Sequence, residues 1–408
     1  MSDNKKQLKI IFNDQTEELL KIYNSGDSIV KFLTGKTKYN NVVCNMLNTG
    51  EIKVGKYIKK GGMGEIYSIE LPFGDKKEYV MKQKLNPEYE SIDCLERVPY
   101  VFRNNTSLTR KEQTIPANSY VCENEQYSEY MIGVLVSQLY KNGLTPRSES
   151  LYNINFLDVL SFTTCHEPMY SQYIFMERIT SDLKTADDLT QGDLISIVAQ
   201  LLIAILFYQS IFKISHNDLH TGNIFLEKIT DKTKYNGRYL KDYGFISYNI
   251  YGKEYYVPLG KYLVKIGDWG LSCKYSKPMV LTQLVIDNFS GRDNYFDDGT
   301  FRQDMSIIPN VYRPSYDLIF SLIAMHQLLM MKYEKYNVVI DVIKQFIEHI
   351  TDDDFDEFMD TISLQYRRPN LTKLKEYMSM QDIISEGVML GDLMEKPNKE
   401  WLRVGQLN

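Results

Sequence analysis

The chain is poor in the features that staple, anchor or target a protein. Its five cysteines, Cys44, Cys94, Cys122, Cys165 and Cys273, are scattered, odd in number and contain no Cys-x-x-Cys pair. That arrangement argues against a disulfide framework and against a zinc site, and it predicts a reducing compartment. There is no basic excess: 47 Lys and Arg stand against 53 Asp and Glu, a formal net charge of −6. The electrostatic footprint of a nucleic-acid binder is missing, and so is a polybasic run for anionic membranes. No nucleic-acid partner is expected. Long apolar runs are missing too. A bilayer span needs about 20 predominantly apolar residues. Residues 194–212 come nearest, but Gln200, Gln209 and Ser210 interrupt them, and the run at 318–331 is too short. Both read as helices buried all round inside a domain, so no membrane span is expected. The first residues, Met1-Ser2-Asp3-Asn4-Lys5-Lys6, hold no apolar signal-peptide core. Internal repeats and low-complexity blocks are also lacking.

What is present is ordinary globular material. Apolar residues make up 43% of 408, enough for a sizeable core in two or three compact units. Residues 1–53 are polar with short apolar clusters near 8–12 and 17–23, which predicts a small helical extension. Runs at 53–58, 65–71 and 78–83 are rich in β-branched and aromatic residues and are punctuated by Gly and Pro. They predict three antiparallel strands. Residues 86–126 are polar and irregular and read as an insertion. Helical periodicity follows over 127–142 through Ile132, Leu135, Val136 and Leu139. Strand character resumes over 153–179 and ends in Tyr173-Ile174-Phe175-Met176. Beyond Thr180 helices dominate, at 193–212, 316–331, 338–349 and 355–363. Residues 228–260, rich in Tyr, Gly and Lys, read as a second insertion. A strand-rich part at 54–179 and a helix-rich part at 180–408 predict an α+β fold of two lobes with a cleft between them.

Chemistry concentrates in four short segments. Lys60-Gly61-Gly62-Met63-Gly64-Glu65 sits between two strands, where glycines let the backbone approach a polyphosphate and offer N–H donors. Taken alone it reads equally well as an ordinary hairpin. Lys82, in Tyr79-Val80-Met81-Lys82, follows Gly64 by one strand and a return. Its ammonium then reaches the glycine turn, where it can bind phosphate oxygens. A carboxylate from the next helix would orient it: Glu129 is the choice, with Glu125 and Glu123 open. The bland reading of that carboxylate is a solvated residue at a helix start. The most specific segment is Ser215-His216-Asn217-Asp218-Leu219-His220-Thr221-Gly222-Asn223-Ile224-Phe225, directly after the buried helix. So many polar residues between a core helix and an apolar strand are costly without a role. Asp218 can take a hydroxyl proton or orient a nucleophile. Asn223 can give a neutral oxygen to Mg²⁺. Finally, Val264-Lys265-Ile266-Gly267-Asp268-Trp269-Gly270 is an apolar strand ending in an Asp able to hold a metal, although by itself it would be a common turn signal.

Together these segments resemble the eukaryotic-type protein kinases, over residues 54–370. His216-Asn217-Asp218-Leu219-His220-Thr221-Gly222-Asn223 matches H-R-D-L-x-x-x-N at four of its five fixed positions. Asp268-Trp269-Gly270 is similar to D-F-G, and Tyr79-Val80-Met81-Lys82 to V-A-I-K. The resemblance implies a bilobal fold with an antiparallel-sheet N-lobe and a mainly helical C-lobe. It implies an ATP- and Mg²⁺-dependent serine/threonine kinase acting on a protein substrate. Asp218 would receive the hydroxyl proton, Asn223 and Asp268 would hold the metal ions, and Lys82 with Glu129 would bind the α/β-phosphates under Gly61, Gly62 and Gly64. Ile58, Ile66, Val80 and Phe225 would sandwich the adenine. Met176 would guard the back of that pocket, and Glu177 to Ile179 would form its hinge. Asp317 resembles the Asp that anchors the catalytic loop.

Departures are equally specific. Lys59 stands at the first loop glycine, Asn217 at the Arg before the catalytic Asp, and no A-P-E motif lies between Gly270 and Asp317. Activation through a phosphorylated loop paired to that Arg is therefore not expected. His220 replaces the catalytic-loop Lys and is given a catalytic role at the transferred phosphate. The same Asp-Leu-His pattern occurs in haspin kinases and aminoglycoside phosphotransferases, which keeps a small-molecule phosphotransferase open as an alternative. A catalytically silent pseudokinase is the other. Long insertions and the Ile/Asn/Lys/Tyr-rich composition resemble the serine/threonine kinases of large nucleocytoplasmic DNA viruses, implying a cytoplasmic or virion location. His166, His326 and His349 read as structural or solvated.

Overall fold

The computed structural model describes residues 2–25, 38–61, 64–72, 78–85, 125–146, 150–165, 171–179, 181–212, 214–270, 272–274, 295–296, 300–303, 306–309, 314–360, 378–386 and 391–408. The fold is mixed α+β with mainly antiparallel sheets. Helices α1 (Ser2–Ser25) and α2 (Lys38–Asn48) precede strands β1 (Lys53–Gly61), β2 (Gly64–Glu70) and β3 (Tyr79–Leu85). Helix α3 (Glu125–Leu144) and strands β4 (Tyr152–Asn153), β5 (Val159–Cys165) and β6 (Ser171–Glu177) follow. The expected insertion at 86–126 lies outside the described residues as far as 124, and the helix after it begins two residues early.

Five of these strands pair in the order β1-β2-β3-β6-β5. Side chains alternate across a strand, so β3 sends Tyr79 and Met81 to one face and Val80 and Lys82 to the other. The first face meets Leu8, Ile11 and Phe12 of α1 and Val43 and Met46 of α2 in a closed apolar cluster. Helices α1 and α2 thus cover a sheet face. Gln15 of α1 reaches over the sheet, bonding the Phe162 carbonyl at 3.1 Å and pairing with the Ser161 hydroxyl. The opposite face packs on α3 through Val80, Ile174, Met176, Tyr130 and Val134.

One sequence expectation is overturned here. Cys44 of α2 and Cys165 of β5 form a disulfide, with Cα atoms 5.6 Å apart. They are 121 residues apart in sequence and meet because α2 packs across β5. Sequence spacing carries no information about that approach. The pairing also removes the basis for expecting a reducing compartment.

After β7 (Ser181–Asp182), helix α4 (Gln191–Phe212) runs through the core. Most of its residues, from Asp193 to Gln209, are buried. It is the one helix among the described residues long and apolar enough to cross a membrane, at a mean hydropathy of 2.1, but 83% of that stretch is buried in the fold. Short strand β8 (Ile214–Ser215) and β9 (Ile224–Lys228) flank the polar loop at 216–223. The expected insertion at 228–260 folds as two hairpins, β10 (Lys234–Tyr235) with β11 (Arg238–Tyr239), and β12 (Phe245–Ile250) with β13 (Lys253–Pro258). Strand β14 (Tyr262–Ile266) pairs with β9 and carries Asp268 just beyond its end. Residues 273–274, 295–296, 300–303 and 306–309 add four short strands, β15 to β18. Helices α5 (Pro314–Lys332), α6 (Asn337–Thr351), α7 (Phe355–Asp360) and α8 (Met380–Glu386) close the core. The helix expected over 355–363 is described to Asp360, and 361–363 lie outside the described residues. A last strand, β19 (Trp401–Leu407), was not expected. It runs parallel to β12 and antiparallel to β4.

Candidate functional site

The loop at 216–223 is fixed by a residue from far along the chain. Asp317, in the first turn of α5, is fully buried. Its carboxylate accepts the backbone N–H groups of His216 at 2.7 Å and Asn217 at 2.8 Å, and the Tyr208 hydroxyl at 2.8 Å. Burial raises the Asp317 carboxyl above its usual range, against the opposing pull of these donors. Asn217 is thereby held at φ 65°, a left-handed conformation uncommon for a residue with a Cβ. His216 is also buried. Its Nδ1 accepts the Asp218 N–H at 3.3 Å, so Nε2 carries the proton and donates to the Gly267 carbonyl at 3.0 Å. The imidazole lies 4.6 Å from the Trp269 ring, and Tyr208 meets that ring edge-on at 5.2 Å. The loop and the strand end carrying Asp268 are thus locked to each other.

Four of the chemically chosen side chains come together on this frame. Lys82, on the α3-facing side of the sheet and 4% exposed, donates to Asp268 Oδ1 at 2.9 Å. Burial alone would raise the Asp268 carboxyl. The Lys82 ammonium and its hydrogen bond outweigh that and hold it below its usual range. Asp268 sits at φ 63°, again left-handed, at the point where strand β14 turns away. The Asn223 amide nitrogen donates to the Asp218 carbonyl at 2.8 Å and to Asp218 Oδ2 at 3.3 Å. Its oxygen is the atom left for a cation. His220 Nδ1 accepts the Gly222 N–H at 3.0 Å, which leaves the protonated Nε2 3.7 Å from Asp218 Oδ2. A Cβ at Gly222 would come within 2.9 Å of His220 Cε1, so a larger residue there would push the imidazole aside.

Beside this cluster lies a pocket of about 270 Å³. Ile58, Ile66, Val80, Met176, Glu177, Ile179 and Phe225 all line it. Gly61 and Gly64 face each other across the β1–β2 turn. Gly62 lies outside the described residues. Glu129 lies within α3, but its side chain, and with it the expected pairing to Lys82, lies outside the described residues, as does Glu123. Sequence reasoning missed several groups at the pocket. Leu157 lines its wall. Lys59 Nζ stands 3.7 Å from Asp182 Oδ2 at its mouth. Asp182 Oδ1 is tied down by the Thr185 N–H and hydroxyl, both at 2.8 Å. An Asp three residues before a Thr signals such a turn, but not that it faces a pocket. Fully buried Lys265, close to Glu177, was missed as well.

The arrangement has definite chemical capacity. An apolar slot suits a flat ring system. Asp268, Asp218 and the Asn223 oxygen suit a hard cation such as Mg²⁺. An ammonium next to them suits phosphate oxygens. Comparison with protein-family models and with curated proteins finds no match to the chain.

Proposed function

We propose that the chain is an ATP- and Mg²⁺-dependent phosphotransferase with a bilobal protein-kinase fold, transferring the γ-phosphate to protein Ser or Thr hydroxyls. The observation that carries this reading is the convergence on one frame of Lys82, Asp268, Asp218 and Asn223, anchored by Asp317 and adjoining an apolar slot. Each of these groups has one role under this reading. The slot takes the adenine between Ile66 and Val80 above and Phe225 below. Lys82, which pairs with Asp268 here, would supply its ammonium to the phosphate oxygens of a bound nucleotide. Asp268 and Asn223 hold Mg²⁺, which would neutralise charge developing on the transferred group. Asp218 orients the acceptor hydroxyl and takes its proton. His220, with its N–H facing Asp218, is placed to donate to the same phosphate.

The test is transfer of labelled γ-phosphate from ATP with Mg²⁺ to basic and acidic protein acceptors, and in parallel to small alcohols and aminoglycosides. Asp218→Asn is the control. Labelled protein that vanishes in the variant supports the reading. Label on small acceptors alone redirects it to a small-molecule phosphotransferase. Nucleotide binding without any transfer redirects it to a silent binding module.

A further inference from the structure

Lys265 is an ammonium with no exposed surface, three residues before Asp268. Its Nζ lies 3.5 Å from a Glu177 carboxylate oxygen and 3.7 Å from Glu227 Oε2, donates to the Phe156 carbonyl at 3.4 Å, and sits 3.8 Å over the Tyr140 ring. Glu177 is itself 3% exposed. Taking two charges out of water is expensive, and an apolar pair of similar volume fills such a site at no loss of stability. Stability therefore does not account for the pair.

Its position suggests a different role. Glu177 is the last residue of β6, and Arg178 and Ile179 continue from it along the pocket. Glu177 is bound twice to Asp158: its N–H donates to the Asp158 carbonyl at 2.9 Å, and its Oε1 accepts the Asp158 N–H at 2.7 Å. Lys265 grips the same side chain from the strand that ends in Asp268. On the outer side, Arg178 is tied to Glu78 by a backbone bond and an ion pair, both 2.9 Å. That ion pair is largely exposed and is worth little. Backbone bonds hold Glu177 and Arg178 in the sheet, and Lys265 adds the buried side-chain restraint.

We infer that Lys265 is a positioning residue: through Glu177 it fixes the backbone at 177–179 and so sets which purine edge the pocket accepts. This rests on the nucleotide reading above. Adenine offers an amino donor where guanine offers a carbonyl acceptor. A backbone held in one place pairs with only one of them, and a loosened one discriminates less.

The experiment is calorimetric titration with ADP and with GDP, in Mg²⁺, alongside thermal melting of each protein. Lys265→Met strands a buried carboxylate and lowers the melting temperature. The double variant Lys265→Met with Glu177→Gln removes both charges and keeps an acceptor for the Asp158 N–H, so melting recovers. If Lys265 positions the segment, the recovered double variant still binds ADP about tenfold more weakly, and its preference for ADP over GDP narrows. A double variant that binds and discriminates like wild type overturns the positioning role while the nucleotide reading stands. Wild-type protein that binds neither nucleotide overturns both. Should the double variant not fold, Glu177→Gln alone, with Lys265 still beside Glu227, carries the same readout.

Discussion

Asp317→Ala removes one carboxylate and orphans several donors at once. The N–H groups of His216 and Asn217 lose their acceptor in a site closed to solvent, as does the Tyr208 hydroxyl. An unsatisfied buried donor costs roughly 1–3 kcal/mol. The hydroxyl can rotate toward another acceptor, so the two backbone groups set the loss at about 4 kcal/mol. Part of this returns, because Asn217 is freed from φ 65°, a conformation costing on the order of 1 kcal/mol. The net loss is about 3 kcal/mol. Unfolding entropy near 2.1 cal/mol/K per residue gives 408 residues about 0.9 kcal/mol/K, so the midpoint falls by about 3–4 °C if the chain melts as one unit. Calorimetric melting measures this directly. Asp317→Asn should fall between the two, since one oxygen still accepts while its amide faces a donor. If the chain is the phosphotransferase proposed above, phosphotransfer at 25 °C should fall further than stability, by about 100-fold in the Ala variant, because a loop displaced by an ångström would no longer present Asp218. An Ala variant that melts within about 1 °C of wild type and keeps its activity would refute the claim that Asp317 holds this loop.

Three further outcomes follow from particular contacts. The Asp268 carboxyl lies below its usual range when folded, so its pairing with Lys82 adds stability above the unfolded carboxylate pKa of about 3.9 and loses it as pH falls through the lower folded value; in Lys82→Met burial acts unopposed, so the melting gap between wild type and variant should widen from acid to neutral pH, and a constant gap would refute the pairing. Denatured, unreduced protein should react with no more than three maleimides, five cysteines less the Cys44–Cys165 pair, and five labels would remove the disulfide. Gly133→Ala, which gains about 1 kcal/mol of helix propensity, should still destabilise because its Cβ would lie 2.9 Å from Val159 Cγ2; Gly192→Ala, with nothing nearer than 3.9 Å, should be neutral or stabilising in the same melts.

Local pattern made the secondary structure legible where one residue decides one thing. The runs at 53–58, 65–71 and 78–83 read as strands because β-branched and aromatic residues alternate there with turn signals. The run at 194–212 read as a buried helix because its apolar residues leave no polar face. One hairpin was legible in the sequence, at Asn236-Gly237, and the other was not, since tyrosine rarely takes a positive φ. Asn236-Gly237 and Tyr251-Gly252 each hold positive φ at both positions, as two-residue hairpin turns require. Strand β19 was not legible, since Trp401-Leu402-Arg403-Val404 says nothing about a parallel partner at Phe245. Nor was the meeting of Cys44 with Cys165, which depends on how α2 crosses the sheet. At the candidate site, the sequence offered Asp218, Asn223, Asp268 and Lys82 as residue types suited to metal and phosphate. It offered no sign that Lys265 would lie within reach of Glu177, because a lysine in an apolar strand reads as an edge or surface residue until its partner is placed.

The most local departure from the resembled pattern, tryptophan at position 269, fills the core between the polar loop and the buried helix. The indole is 1% exposed and lies against His216 and Tyr208, so it joins the polar loop to the core helix. Helix α3 passes nearby with a glycine: a Cβ on Gly133 would stand 3.6 Å from Trp269 Cδ1, an ordinary contact, but 2.9 Å from Val159 Cγ2. Glycine inside a helix costs about 1 kcal/mol relative to alanine. That cost makes sense where it lets α3 lie close to β5 at Val159. The same helix holds Glu129 one turn earlier, and Tyr130 packs on Phe162 at 5.2 Å. Both Val159 and Phe162 belong to β5, so the missing side chain answers to that strand, and the indole meets α3 only at ordinary contact distance.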